Sequence, residues 1–426
     1  NPASDMILKL AWRNVFRQKR RTILTLLTMT GGFFLSSISI GWMDGSYSSI
    51  IMFFTNNRTG QIQVHHRGYL ENPSIYSTVN DYQAVGALLD SIPGVRVWTP
   101  RIYSGVLLAV RPQGAGSGNV FSNSAAASVI GIDPAMEEAA TCFSSRIESG
   151  EMLSSSAADT FYAATGQIIL GRELSIILDA SVGDSLVMLS QAADGSSADR
   201  MYVIRGIISS GNADIDRNTC YITLSDAQIL FALQGKVHEI TVMTRSLGTV
   251  DKLTDEISAG LVDKDLETDS WKIFAREFYN GMKADESSLK IMIFVIVLVA
   301  AMGVLNTILM MVLERRREFG VMKALGTRPG FIIKMIVLEA NIMGIISVIA
   351  GSILSTAGLL FLSKHGLVMD PPLDYGGTVF REMIASITPE CYWIPAICVI
   401  ITASTVSFLP ALKAAHTKAA KALRTI

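Results

Sequence analysis

Cysteine is scarce in this chain of 426 residues: Cys142, Cys220, Cys391 and Cys398 are the whole set, and no two form a C-x-x-C pair. That spacing excludes a zinc ribbon, a thioredoxin-like redox site and a disulfide-dense scaffold. Charge is scarce as well. Only 17% of residues are Asp, Glu, Lys or Arg, and 36 basic against 37 acidic residues leave a formal net charge of −1. A nucleic-acid binder would carry a basic excess on its binding domain, so no nucleic-acid partner is expected. Catalytic signatures are missing too. No G-x-x-x-x-G-K-[ST] phosphate loop occurs, His238-Glu239 continues as Ile-Thr-Val rather than completing H-E-x-x-H, and no G-x-S-x-G elbow is present. We therefore expect no catalytic residue, no cofactor and no metal on this chain. His65-His66 reads as a plain pair, because adjacent residues of a strand point their rings to opposite faces.

What the sequence has in quantity is apolar length. Half of its residues are hydrophobic and the mean hydropathy is +0.38, which excludes an ordinary soluble enzyme. A hydrocarbon core of roughly 30 Å needs about 20 mainly apolar residues as a helix. Four runs meet that need: Thr22–Ile40, Ile291–Leu313, Phe331–Phe361 and Tyr392–Leu409, the last with Pro395 near its start. The first has a basic flank like a signal peptide. However, no small-residue cleavage site follows, and apolar character continues through Phe54, so we expect a retained anchor.

Loop charges orient these helices. Residues 1–21 hold six Lys/Arg and one acid, the 314–330 loop holds five Lys/Arg, and the tail holds Lys413, Lys418, Lys421 and Arg424 without an acid. The 364–390 loop has two basic and four acidic residues. Both ends and the 314–330 loop are thus expected on the cytoplasmic side. Between the first two runs lies a segment, residues 50–284, with 26 acids and 17 bases, including turn-rich stretches such as Gln113–Gly118. Expected strands include Gln61–Val64, Ser104–Val110, Ser128–Gly131, Gln167–Leu170, Ser185–Leu189, Met201–Ile208, Cys220–Leu224 and Glu239–Met243. Helical stretches are expected at Asp81–Ser91, Arg172–Leu178, Ser225–Leu233 and Thr249–Leu261. The fold class is accordingly an α-helical membrane protein with four transmembrane helices and a large, two-lobed α+β ectodomain between helices 1 and 2. Helices 1 and 2 look longer than the bilayer requires, as if projecting outward as a stalk, with Gly41 and Gly45 the alternative sites for a kink.

Phe319, Met322 and Leu325 recur every three residues in the 314–330 loop, giving an apolar stripe with cations around it. Gly326 suits a helix end and Pro329 cannot continue the same helix. This is the pattern of a short amphipathic helix at a membrane surface. Elsewhere, Glu339 in the third run is expected to pair with Lys334 or Arg328, while Ser347, Gly351 and Ser355 form a small-residue face for helix packing.

Glu314-Arg315-Arg316-Arg317-Glu318-Phe319-Gly320-Val321-Met322-Lys323-Ala324-Leu325-Gly326 resembles the E-R-x-R-E-[IF]-G-[IV]-x-[KR]-A-L-G signature of MacB/Lol/FtsX-like ABC transporter permeases. Ala11-Trp12-Arg13-Asn14, Gly60–His65, Gly131–Pro134, Gly171–Leu174, Val182–Asp184, Gly206–Gly211, Pro410–Ala415 and Ala422–Arg424 are similar to further landmarks of that family. The resemblance implies a multi-pass protein of the cell inner membrane with a periplasmic domain. It divides the chain into a basic segment (1–21), a first helix with stalk (22–55), the periplasmic domain (56–270), a stalk and second helix (271–313) and a coupling loop (314–330). A third helix (331–363), an outer loop (364–390), a fourth helix (391–410) and a cytoplasmic tail (411–426) follow. It further implies two copies of a separate ATPase subunit that holds ATP and Mg, and a second permease copy or paralogue. Glu314, Arg315, Arg316, Arg317, Glu318, Phe319, Gly320, Met322, Lys323, Leu325 and Gly326 would couple to the ATPase. Ile50, Ile51, Met52, Phe53 and Phe54 are candidates for an acyl-chain cavity beside membrane lipid. The implied activity is mechanotransmission that releases lipoproteins from the outer leaflet. The alternatives are MacB-like efflux of peptides, toxins or drugs through an adaptor, and FtsX-like control of an envelope partner. Ser190–Arg200 is short and lacks Pro, unlike the loop by which related subunits recruit a periplasmic carrier.

Overall fold

The structure is a computed structural model that describes residues 10–15, 17, 19–111, 123–154, 165–375 and 378–416. The Gln113–Gly118 stretch, Lys9, Lys418, Lys421 and the Ala422–Arg424 landmark lie outside them. Two compact units emerge, one of residues 1–49, 281–369 and 382–426, the other of residues 50–280 and 370–381.

Helices long and apolar enough to cross a membrane lie within Lys19–Phe54, Arg276–Glu314, Pro329–His365 and Glu390–His416, and the first unit holds all of the last two and most of the first two. At 1.5 Å per residue the 36-residue first helix is about 54 Å long and the 39-residue second about 58 Å, well beyond the roughly 30 Å of hydrocarbon. Glycine does not break the first helix. Its missing side chains instead admit the segment that precedes the fourth helix: the Ser386 amide donates to the Gly41 carbonyl at 2.8 Å, and a Cβ on Gly45 would strike the backbone of Ile384, Ala385 and Ser386. Small residues serve the third helix in the same way. Ser347 and Ser355 are fully buried, and a Cβ on Gly351 would sit 2.6 Å from Cδ1 of the buried Phe33.

The second unit is a mixed sheet with helices on its faces. Its strands are β1 (Ile62–His66), β2 (Val95–Arg111), β3 (Ser124–Ile132), β4 (Ile147–Gly150), β5 (Thr165–Gly171), β6 (Ser185–Gln191), β7 (Ser197–Ile208), β8 (Thr219–Thr223), β9 (Glu239–Thr244) and β10 (Leu266–Ser270). One lobe is the antiparallel ladder β10-β1-β9-β2. In the other, pairing runs β2-β3-β8-β5-β7-β6 and returns to β2, closing a ring of strands in which β3–β8 and β5–β7 are parallel. The 17-residue β2 belongs to both lobes. Period-two patterning aims it: Ile102, Val106, Leu108 and Val110 are buried while Leu107 is 45% exposed. Side-chain caps start several of the flanking helices. Asp81 accepts from the Ala84 amide, Asp133 from Ala135 and Met136 ahead of Pro134, and Asn212 from Asp214 and Ile215.

Each expected strand coincides with an observed one, but β4, β10, the first half of β2 and the paired strands Leu367–Tyr375 and Thr378–Met383 within the expected 364–390 loop were not anticipated. Pro100 reads as a strand breaker, and β10 is the polar Leu-Glu-Thr-Asp-Ser, which shows no apolar alternation. Helices Pro134–Thr141 and Ala213–Asn218 were also missed, because both are brief. Cys142 is exposed and Cys220 is buried with its thiol towards the Ser128 carbonyl, and neither is in a disulfide.

Where β2 passes from one lobe to the other, Arg101 is buried between two carboxylates. Its Nη2 lies 2.7 Å from Glu137 Oε1, and its Nη1 lies 3.7 Å from Glu239 Oε1. Thr99 and Thr141 donate to Glu137, while Thr241 and Tyr103 donate to Glu239. Burial alone would lower the Arg101 pKa, but the facing Glu137 carboxylate, with Tyr103 and Glu239 behind it, holds it above its ordinary value. Removing one partner strands the other charges in a dry interior. Arg101→Met is therefore expected to cost about 3–5 kcal/mol of stability in this unit, read by denaturant titration, with much of the loss recovered when Glu137 and Glu239 are also made Gln.

Candidate functional site

The described loop after the second span folds as a short helix, Arg316–Ala324, ended by Gly326 at φ +89°. Thr327 then donates its amide to the Met322 carbonyl, and Pro329 opens the third span as its first residue. Arg315 immediately precedes the short helix and holds it in place. Its Nε donates to Glu318 Oε2 at 2.8 Å, its Nη1 donates to Glu339 Oε1 at 3.1 Å, and its guanidinium carbon lies 5.4 Å from the Phe319 ring centroid. Asn14 donates to the same Glu339 carboxylate at 2.6 Å, and Arg17 donates to Glu318 at 3.0 Å. At the far end, Lys323 Nζ donates to the Ala415 carbonyl at 2.6 Å. The helix is thus fastened to the segment before the first span, to the third span and to the end of the fourth.

Glu339 pairs with Arg315 and Asn14 rather than with Lys334 or Arg328. Lys334 is five residues away on the same helix, which turns it about 140° from the Glu339 face, and Arg328 precedes the helix altogether. Sequence distance concealed the real partners: Asn14 lies 325 positions from Glu339.

The expected apolar stripe divides in space. Phe319 is 2% exposed and joins the core of the membrane helices with Met322 at its margin, and Gly320 is buried beside it. Leu325 is 82% exposed. The outward face is instead Arg317, Val321, Ala324, Leu325 and Arg328, with Glu314 and Gly326 exposed at the ends and Arg316 partly covered. Val321 and Ala324 were not among the expected site residues. An i, i+4, i+8 count from Arg317 would have found Val321 and Leu325 on one face. Beneath the helix lies a polar cavity of about 240 Å³ lined by Asn14, Arg17, Thr25, Glu314, Arg315 and Glu318, among others.

Charge in this cluster is mutually supported. Burial would lower the Arg315 pKa, but the Glu339 carboxylate and then Glu318 raise it above its ordinary value. Burial would raise that of Glu318, but Arg315 and Arg17 hold it below its ordinary 4.5. A carboxylate whose folded pKa is depressed contributes stability in full above its unfolded value, and loses it as pH falls through the folded value. Wild-type protein is therefore expected to outlast Glu318→Gln in thermal unfolding above pH 4.5, with the advantage vanishing on further acidification. Arg315→Met, which leaves Glu339 unanswered, is expected to destabilise this unit by about 3–5 kcal/mol. Adding Glu339→Gln should return much of it, both read as thermal unfolding in detergent.

The other expected site residues sit at the end of the first helix. Ile50 and Ile51 are buried, Met52 is 44% exposed, and the rings of Phe53 and Phe54 pack against Phe380 at 5.4 Å and Phe278 at 5.0 Å. Most of this run is thus engaged by its own chain.

Four membrane-length helices, a pinned surface helix and a mixed α/β domain together define a polytopic membrane protein with an elaborate domain outside the bilayer. The MacB-like periplasmic core domain model matches residues 22–259, and that of the FtsX-like permease C-terminal domain matches residues 290–419. The chain belongs to the MacB/FtsX-like family of ABC transporter permeases. It is 24% identical over 309 residues to the lipoprotein-releasing system transmembrane protein LolC of Xylella fastidiosa strain 9a5c, covering 69% of this chain and 72% of that protein. To LolE of Haemophilus influenzae it is 23% identical over 278 residues, 61% of this chain and 64% of that one. The pyoverdine export ATP-binding/permease protein PvdT of Pseudomonas syringae pv. syringae is 28% identical over 222 residues, 49% of this chain and 30% of its own length. Among solved structures, the periplasmic region of MacB from Actinobacillus actinomycetemcomitans is similar with a TM-score of 0.36 and 16% identity, over 52% of this chain and 94% of that one.

Proposed function

We propose that this chain is the permease subunit of an ABC transporter of the inner membrane, working with a separate ATPase that holds the ATP and Mg. The observation that carries this reading is the pinned helix Arg316–Ala324. A rigid, outward-facing surface fastened to three membrane segments suits the receipt of a push from a partner and its delivery to the spans. The positive charge of the 314–330 loop and of residues 1–21 supports a cytoplasmic position for this face and for both ends of the chain. The α/β domain then lies in the periplasm. The assembly is two permeases, identical or paralogous, with two ATPase subunits.

The cargo that best fits is a lipoprotein held in the outer leaflet. Identity to LolC and LolE over more than three-fifths of the chain supports release rather than export. The β6–β7 connection is a tight hairpin, residues 192–196, so carrier capture is assigned to the second permease or to another surface. Co-purification from the membrane separates the readings: acylated proteins favour release, an adaptor with an outer-membrane duct favours efflux, and a cell-wall hydrolase or its activator favours control of an envelope partner.

Docking is tested at the outward face. Val321→Asp and Leu325→Asp place charge on an exposed apolar surface and are expected to lower recovery of the ATPase by tenfold or more, about 1.4 kcal/mol, without loss of thermal stability. Unchanged recovery in both variants would count against the docking role. Phe319→Asp, being buried, is expected to lower stability first.

A further inference from the structure

His65 lies on β1, opposite Glu267 on β10, and Asp269 is two residues along β10 on the same face of the sheet. The imidazole is fully buried, while the two carboxylate side chains are 32% and 16% exposed. Both atoms near Nδ1 are acceptors: the His66 carbonyl at 3.1 Å and Glu267 Oε1 at 3.4 Å. Nδ1 must therefore carry a hydrogen. Nε2, by contrast, is buried and 3.2 Å from Asp269 Oδ2, its only close polar contact, and the pair is poorly aligned for a hydrogen bond. With a hydrogen on Nδ1, the Nε2 edge facing a carboxylate calls for either a second proton or a metal ion between the two atoms.

The other buried histidine of this domain shows what a satisfied ring looks like. His238 Nδ1 accepts the Tyr103 amide at 2.9 Å, so its Nε2 carries the hydrogen and donates to the Ile75 carbonyl at 3.1 Å. Nothing is left over. At His65 one nitrogen is left over and it faces Asp269, with Glu267 against the other nitrogen.

We propose that His65, Glu267 and Asp269 form a divalent-metal site, with zinc as the ion that suits the set. One atom from each residue can be chosen so that all three lie within 4.8 Å of one another. The 3.2 Å between Nε2 and Oδ2 approaches the roughly 3.4 Å separating two ligands of a tetrahedral ion bound at about 2.1 Å. A mixed nitrogen and carboxylate set favours zinc over calcium or magnesium, and water completes the shell from the exposed side. The supporting contacts are those of a metal-bound histidine: Nδ1–H is held by a backbone carbonyl, and Glu267 Oε1 accepts the Gly68 amide at 2.8 Å. The ion would clip β1 to β10, the strand that follows the first span to the strand that precedes the second. This site is independent of the cargo and of the ATPase partner.

Full-length protein in detergent, stripped with chelator and dialysed against micromolar zinc chloride, is expected to retain about one zinc per chain by elemental analysis. His65→Gln and Asp269→Asn are each expected to weaken retention on the order of 10-fold or more. Zinc should raise the wild-type unfolding temperature and leave that of Asp269→Asn unchanged, with both unfolding alike in chelator. Cobalt in place of zinc should give visible absorption in wild type alone. Wild-type protein that holds no more zinc than Asp269→Asn, with no thermal response, would show that a proton rather than a metal bridges the pair, and would overturn the assignment.

Discussion

A carboxylate set into an apolar helix must be answered by a cation, and here Arg315 answers Glu339. The rest of the architecture around the short helix hangs from that pair. Because the guanidinium forks, the same residue also holds Glu318, and through Glu318 it reaches Arg17. Phe319 is carried into the core beneath the stacked cation, and the opposite face of the short helix is left exposed. A point charge such as lysine could satisfy one carboxylate but not this geometry. The electrostatic cost of Glu339 and the position of the surface helix are thus one constraint.

The α/β domain solves a similar problem with the same residue type. Arg101 is buried where β2 passes between lobes and is answered by Glu137 and Glu239. Such pairs add little net stability, since desolvation offsets most of the attraction. What they add is definition, because only one arrangement satisfies all the charges.

Much of the fold was legible in the sequence because membrane spans and half-buried strands announce themselves by length and period. The four apolar runs, the alternating Ser104–Val110 and the basic loop with its Gly326 end needed no long-range information. What escaped was whatever depends on a distant partner. Nothing near Leu266–Ser270 marks it as a strand, because its place is set by β1 some 200 residues earlier. The stripe Phe319-Met322-Leu325 has a helical spacing, yet its two ends face opposite surroundings, since the end of the short helix turns Leu325 away from the core. His65 was read beside its neighbour His66, whereas its chemistry comes from across the sheet.

The closed circuit of strands in the second lobe has a consequence for recognition. Each strand of the ring β2, β3, β8, β5, β7 and β6 has a neighbour on both sides, so the margin of that lobe is the four-residue β4, which pairs with β7 alone. Away from β4, a visitor to that lobe meets mainly side chains and turns, and must be chosen by shape and polarity. The open margin of the other lobe is β10, whose acidic lettering discourages casual pairing. Selectivity in such a body is written on its outline rather than in its backbone.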